Sequence, residues 1–471
     1  MTSVINVLNN IFWGYVLIYG LLAVGIFFTV RLGFPQLRHP GEFFRSILTA
    51  GEKDSAGITP FQALCTTLAS RVGTGNIAGV AVALYLGGAG AIFWMWVVAA
   101  LGMATAFAES TLAQLYKVRD AAGTYRGGPA FYMSAALNAR WAGRIFSIAL
   151  ILSFGLVFNA VQANSIADAM QGAFGTDKLA TGVVLAALTG VIIFGGVRRV
   201  ARVAELVVPF MAICYVLVAL YVIVTHLGHV PEVLLMIVKS AFGLQEAAGG
   251  AAGSLAAAML NGTKRGLFSN EAGMGSAPNG AAIATPAPHH PCSQGFVQAL
   301  GVFIDTLVIC TCTALMILLS DLLTPGSGLT GVQLTQAAVE AHVGGWGKSF
   351  VAIAIFFFAF TSIIGNYVYA ENSMIFLGLG KRAGIATLRL AGLAMVVWGA
   401  CESVGTVFDA ADASMGLMAT INLVAIVLLS GTVVKLSRDY FGQKQAHGRP
   451  VFHAADYPEL SGRIDTSIWS R

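Results

Sequence analysis

Charged side chains are scarce in this chain. Aspartate, glutamate, lysine and arginine supply 10% of its 471 residues, against about 25% in a soluble domain. So small a share does not cover a surface of this size in water, and most of that surface must face an apolar medium. The six cysteines (Cys65, Cys214, Cys292, Cys310, Cys312 and Cys401) show no CxxC spacing. That excludes a disulfide framework or zinc knuckle and leaves small core residues. A GxSxG elbow, an HExxH pair and a clustered nucleophile and base are all missing, so no enzyme chemistry is indicated. His289 and His290 share one loop with Cys292 and lack the partners a metal centre needs. The net charge of +5 reflects loops, as shown below, and does not indicate nucleic-acid binding. No basic segment precedes the first apolar stretch, which is long enough to span, so it is read as a helix rather than a cleaved leader.

What is present is apolar. Hydrophobic residues make up 57% of the chain, with 55 glycines and a mean hydropathy of +0.77. Each membrane crossing needs roughly 20 mostly apolar residues. Eleven stretches qualify: 11–31, 59–85, 90–116, 142–173, 179–196, 203–226, 249–284, 294–321, 347–377, 384–402 and 409–435. With the N-terminus outside, 21 of the 27 lysines and arginines fall in alternate, cytoplasmic segments. Three (Lys178, Lys239 and Lys348) fall in external ones, and Arg71, Lys264 and Arg265 lie within interrupted spans. This is the bias of a multi-pass inner-membrane protein with periplasmic N-terminus and cytoplasmic C-terminus. The polar tail, 436–471, has no apolar period and is expected to be a flexible cytoplasmic extension.

Apart from the first span, ten remain, in two sets of five whose odd number inverts the second set. Residues 1–58 then hold the first span and its loop, 59–226 the first repeat, and 227–435 the second with its external linker 227–248. The first member of each set is interrupted: SRVGTGNIAG around Arg71–Asn76, and NGTKRGLFSNEAGMGSAP from Asn261 to Pro278. Paired interruptions at corresponding places mark the binding site of a secondary transporter. Unwound backbone in a bilayer survives only where protein or an aqueous cavity satisfies it. A half-helix N-terminus there suits a carboxylate, and a half-helix C-terminus suits a cation or ammonium. The plainer reading, glycines for packing or a kink, fits one interruption better than two.

The stretches PFQALCTTLASRVGTGNIAGVA (60–81) and RGLFSNEAGMGSAPNGAA (265–282), with TYRGGPAFYM (124–133) and FAFTSIIGNYVYAEN (358–372), resemble the alanine/glycine:cation symporter family. The resemblance implies an all-α fold of eleven transmembrane helices, a LeuT-type five-plus-five inverted repeat behind one extra helix. It implies transport of small neutral amino acids with Na+ as coupling ion and no other cofactor. It gives the substrate carboxylate to the amides around Gly73, Thr74 and Gly75, with Asn76, Gln162, Ser269, Asn270 and Asn366 as further polar contacts and Phe268 as the cap. Na+ falls to the Ala69, Val72 and Phe358 carbonyls and the Thr361 and Ser362 hydroxyls. Those hydroxyls have an ordinary alternative, bonding the carbonyl one turn back. Arg71 and Asn366 depart from the commonest family pattern.

Charges within spans are functional candidates by default. Glu271 is expected to orient the second interruption by pairing with Arg71 or backbone amides, or to meet the substrate ammonium. Asp305, mid-span, is a cation or proton site or a satisfied hydrogen-bond acceptor. Glu109 is expected in a solvated or gate-side pair, and Lys264 and Arg265 to snorkel toward a vestibule. The expected partners are therefore an amino acid, Na+ and the lipid bilayer. Within carriers, the runner-up is a proton-coupled or exchange transporter; a channel or membrane enzyme is more distant.

Overall fold

The computed structural model describes residues 2–48, 54, 56–244, 255–323 and 328–469. Its helices include, in chain order, α1 (Ile5–Arg31), α2 (Pro60–Arg71), α3 (Gly75–Gly87), α4 (Gly90–Leu115), α5 (Arg140–Phe174), α6 (Lys178–Ile193), α7 (Val197–Thr225), α8 (Leu255–Asn270), α9 (Ala277–Ala281), α10 (Cys292–Leu318), α11 (Gly331–Val343), α12 (Trp346–Phe376), α13 (Arg382–Cys401), α14 (Val404–Leu428) and α15 (Ser430–His447), with further helices at Pro35–Arg38, Pro40–Leu48, Pro129–Ala136 and Val230–Ala241 between them. Eight of them, α1, α4, α5, α7, α10, α12, α13 and α14, are long and apolar enough to cross a membrane. At 1.5 Å per residue, α6 is shorter, roughly 24 Å. The expected spans 59–85 and 249–284 are split, into α2 and α3 and into α8 and α9; residues 249–254 lie outside the described residues. A two-stranded antiparallel ribbon pairs Val118 with Arg126 and Arg119 with Tyr125.

Local chemistry sets the ends that matter. Thr59 and Gln62 form a reciprocal capping box at the start of α2, with Pro60 in the first turn where its missing N–H costs nothing. Val72 then leaves helical geometry (φ −77°, ψ 88°) and α2 stops. The second interruption uses three left-handed residues in alternation: Glu271 (φ 58°), Gly273 (φ 88°) and Gly275 (φ 83°). Gly275 is needed twice over, because a Cβ there would also lie 2.8 Å from Asn422 and 2.9 Å from Phe146. Glu271 has no such freedom, and a left-handed non-glycine residue costs about 1–2 kcal/mol.

The tail departs from expectation. It is packed: α15 continues as one helix to His447, and the following segment folds back with Phe452 and Trp469 fully buried. Trp469 donates from its indole to the Leu115 carbonyl (3.2 Å) at the end of α4. The Phe452 amide donates to the His289 carbonyl (2.9 Å), and Tyr440 donates to Glu42 (2.9 Å). Aromatic side chains without helical spacing do this work, which is why no period announced it. Lys117, one of the 21 basic residues counted to the cytoplasmic segments, is also buried. Its ammonium lies 3.9 Å above the Tyr125 ring and donates to the Ala284 carbonyl, and burial pulls its pKa well below the usual lysine value.

Candidate functional site

The two interruptions meet. Asn76, at the start of α3, reaches across with its side-chain amide to Ser269 Oγ (3.1 Å) on α8 and to Asp305 Oδ1 (2.7 Å) on α10. Ser269 also donates to Asp305 Oδ2 (2.7 Å), as does Thr306 (2.7 Å). Asp305 is thus a fully buried carboxylate with three side-chain donors, on a stretch (Phe303–Cys310) wound as a π-helix. Such one-residue swellings collect at functional positions. The approach is close enough that a Cβ on Gly75 would sit 3.1 Å from both Phe268 Cδ1 and Ser269 Cα.

In this conformation the amides of the first break already have partners. The Gly73 N–H donates to Asn76 Oδ1 (2.9 Å), and the Thr74 N–H and hydroxyl both donate to Gln162 Oε1 (2.9 and 2.7 Å). Gln162 and Asn76 therefore supply acceptors to the two break amides that immediately precede the short half-helix, which would otherwise be unpaired. Gln162 thus lies against the first break. Phe268 stacks on Phe158 (centroids 4.9 Å apart) and meets Phe408 (5.6 Å), an aromatic wall beside Gly75. Asn270 uses Oδ1 on the Ala272 amide (3.0 Å), and its Nδ2 has no partner.

Helix α12 crosses the end of α2 backbone to backbone. A Cβ on Gly365 would lie 3.0 Å from the Ser70 amide nitrogen, and one on Gly73 would lie 2.3 Å from Ser362 Oγ. Ser362 is thereby placed against the first break, near the buried Ala69 and Val72. Both Thr361 and Ser362 donate to the Phe358 carbonyl (3.0 Å each), the ordinary bond for hydroxyls in apolar helices. Their lone pairs stay free, whereas the Phe358 oxygen is engaged twice. One turn on, Asn366 Oδ1 lies 2.8 Å from Ser70 Oγ, sharing that hydroxyl's one proton with Glu271, and Asn366 Nδ2 donates to Asn159 Oδ1 (3.0 Å).

Three charge expectations change. Glu271 takes its hydrogen bonds from the hydroxyls of Ser70 (2.7 Å) and Ser276 (2.6 Å), with Arg71 attracting it through space rather than in a direct pair. Those bonds tie the left-handed turn to α2 and secure its strained backbone. Glu109 is fully buried rather than solvated, and accepts from the Gly273 amide (3.1 Å) and Asn422 Nδ2 (2.8 Å). It satisfies an N–H that unwinding releases. Arg265 does not snorkel: it is buried, pairs with Asp412 (2.5 Å) on α14 and stands over Phe268 and Phe408 at 5.7 and 5.0 Å. Lys264 joins the same carboxylate at 3.5 Å. Among the described residues no group of three or more histidine, cysteine or acidic side chains is placed to hold a metal ion.

The profile of the sodium:alanine symporter family matches residues 1–454. The chain belongs to that family. Among relatives, it is 50% identical over 455 residues to a protein of Bacillus subtilis (strain 168) described as the probable sodium/glutamine symporter GlnT, covering 96% of this chain and 93% of that one. It is 41% identical to a putative sodium/proton-dependent alanine carrier protein, YrbD, of the same organism (100% and 98% covered). It is 40% identical to the sodium/alanine symporter AgcS of Methanococcus maripaludis (93% and 97%). A manganese transporter from Eremococcus coleocola is a solved structure with TM-score 0.49 and 14% identity over 84% of this chain and 82% of that one, too slight a likeness to fix the helix arrangement. This family member is therefore a multi-pass membrane transporter of the sodium/amino-acid symporter class, and not an enzyme.

Sequence reasoning passed over four members of the site. Asn159 lies one helical turn before Gln162, a polar pair on one face of α5 that spacing alone would have revealed. Asn422 is a lone amide in the apolar run of α14, itself a signal; it receives a short hydrogen bond from Tyr132 and donates to the Gly273 carbonyl (3.0 Å). Asp412 waits in FDAADAS for Arg265. Cys310, whose Sγ lies 3.2 Å from Ser269 Oγ, carried no signal.

Proposed function

We propose that this protein imports small neutral amino acids, alanine and glycine foremost, coupled to inward movement of Na+ by alternating access. The reading takes eleven crossings, the eight long helices with α6 and the two split spans, in a LeuT-type five-plus-five arrangement behind α1. It places the N-terminus in the periplasm and α15 in the cytoplasm of a bacterial inner membrane, in line with the lysine and arginine distribution.

One observation carries the proposal: two unwound half-helices face each other across Asn76, Ser269 and Asp305 with glycine-sized clearance at Gly73 and Gly75. A small zwitterion suits that space. Its carboxylate takes over from Gln162 the amide and hydroxyl of Thr74, beside Gly73 and Gly75, at the positive end of a half-helix. Phe268 limits the side chain, and Ser269, Asn270 and Asn366 contribute polar contacts. Ala69 and Val72 carbonyls with the Thr361 and Ser362 oxygens, and more weakly the Phe358 carbonyl, form a neutral oxygen set appropriate to Na+.

The test is uptake of radiolabelled alanine and glycine into proteoliposomes under an imposed Na+ gradient, against a pH gradient. Accumulation stimulated by Na+ is expected; absence of both accumulation and stimulation overturns the reading. Asp305, buried where the two breaks meet with three donors around it, favours proton coupling as the second reading. Accumulation driven by the pH gradient alone would select it.

A further inference from the structure

Arg71 ends α2 with its guanidinium turned toward α10. Nη1 donates to the Gln298 carbonyl (3.1 Å), while Nε and Nη2 have no partner among the described residues although the residue is 2% exposed. Those two N–H groups lie on one edge of the guanidinium and point the same way, the two-pronged edge that takes a carboxylate. Three buried carboxylates feel the Arg71 charge through space but take their hydrogen bonds elsewhere: Glu271 from Ser70 and Ser276, Asp305 from Asn76, Ser269 and Thr306, Glu109 from Gly273 and Asn422. Room for the guanidinium exists because residue 301 is glycine; a Cβ there would lie 2.3 Å from Nη1. Beyond it on α10 come Gln298 and Gln294, one turn apart, fully buried, with all four side-chain polar atoms unpartnered. So many unmatched donors in one place call for a ligand or water.

We propose that Arg71 forms an anion subsite, separate from the central site, which receives a small monovalent anion on its Nε–Nη2 edge. The anion is the carboxylate of the amino acid passing along the Gln298–Gln294 face of α10, or a small inorganic anion such as chloride; the first source rests on the transport reading above.

The experiment reads the thermal unfolding midpoint of the purified protein in sodium acetate, sodium chloride and the sodium salt of a bulky sulfonate. The midpoint is expected to rise in acetate or chloride relative to the sulfonate. That rise should vanish in Arg71→Gln and shrink in Gly301→Ala, which keeps the charge but presses on Nη1 and so displaces the guanidinium from its seat. Arg71→Lys, the variant that preserves charge and folding, should keep at most a reduced response. A rise in acetate alone, with alanine uptake by Arg71→Gln slowed about tenfold at unchanged equilibrium affinity, assigns the subsite to the substrate carboxylate. A rise in chloride alone assigns it to the inorganic anion. Equal responses in wild type and in all three variants overturn the proposal. Because the midpoint needs no transport, a protein that shows the Arg71-dependent shift yet moves no amino acid refutes the transport reading and leaves the subsite standing.

Discussion

Adding one methyl group at residue 73 tests the centre of the argument. In Gly73→Ala the new Cβ falls 2.3 Å from Ser362 Oγ, 2.8 Å from Gln162 Oε1 and 3.2 Å from Ser362 Cβ. The first two atoms belong to the side chains assigned to the cation and to the carboxylate cradle; Gln162 can swing its end away, but the short Ser362 side chain cannot. Overpacking of this kind costs about 1–3 kcal/mol. If that cost falls on the liganded state, substrate and Na+ affinities drop roughly 5–150-fold. Gly79→Ala is the internal control, since its Cβ meets nothing closer than 3.7 Å and should leave binding near wild type. Combining Gly73→Ala with Ser362→Ala removes the nearest clash, so the double variant should be less impaired than the sum of the two singles. The assay is isothermal titration of alanine into purified protein across a Na+ series. Unchanged affinity and Na+ dependence in Gly73→Ala, with the protein folded, refutes the placement of substrate and ion at the first break.

Ser362→Ala alone should raise the Na+ concentration needed for half-maximal uptake; an unaltered Na+ curve removes that residue from the cation set. Asp412→Ala strands Arg265 and Lys264 and should cost about 3–5 kcal/mol of stability in thermal unfolding, while Lys348→Ala, breaking the exposed pair with Glu340 (2.8 Å), should cost about 0–1 kcal/mol. Burial lowers the His290 imidazole below its usual 6.5, with Asp439 at 3.2 Å opposing in part. The docked tail therefore keeps its full stability above that value and loses it as pH falls through it, because the undocked form takes up a proton the docked one refuses. A red shift of Trp469 emission on acidification, absent in His290→Gln, is the expected readout; an emission unchanged down to the folded-state pKa refutes it.

The parts legible in the sequence were those with a repeating or clustered signal. Long apolar runs fixed the helices. The glycine-rich VGTGN and EAGMG segments located both interruptions, because glycine is the residue that tolerates left-handed and close-approach backbone. Gln162 and Ser269 were singled out through resemblance to the family, and both lie against the first break. What escaped depended on partners far apart in sequence. Glu109 looked like a helix-end charge until Gly273, 164 positions away, supplied its donor. Arg265 looked like a snorkelling base until Asp412, 147 positions on, met it. That Gln162 and Asn76 pair with the first-break amides themselves is likewise invisible in a linear reading, since either residue is as good a ligand-binder as an acceptor for backbone.

The packed tail has a consequence for how the chain matures. Trp469 closes a contact with Leu115 across 354 intervening positions, and His289 meets Ile468 across 179. Helices α4 and α10 must therefore pass through synthesis and insertion with that face bare, relying on neighbours made alongside them. Closure of this end of the bundle is a late event, and α4 waits for its lid until residue 469 is made.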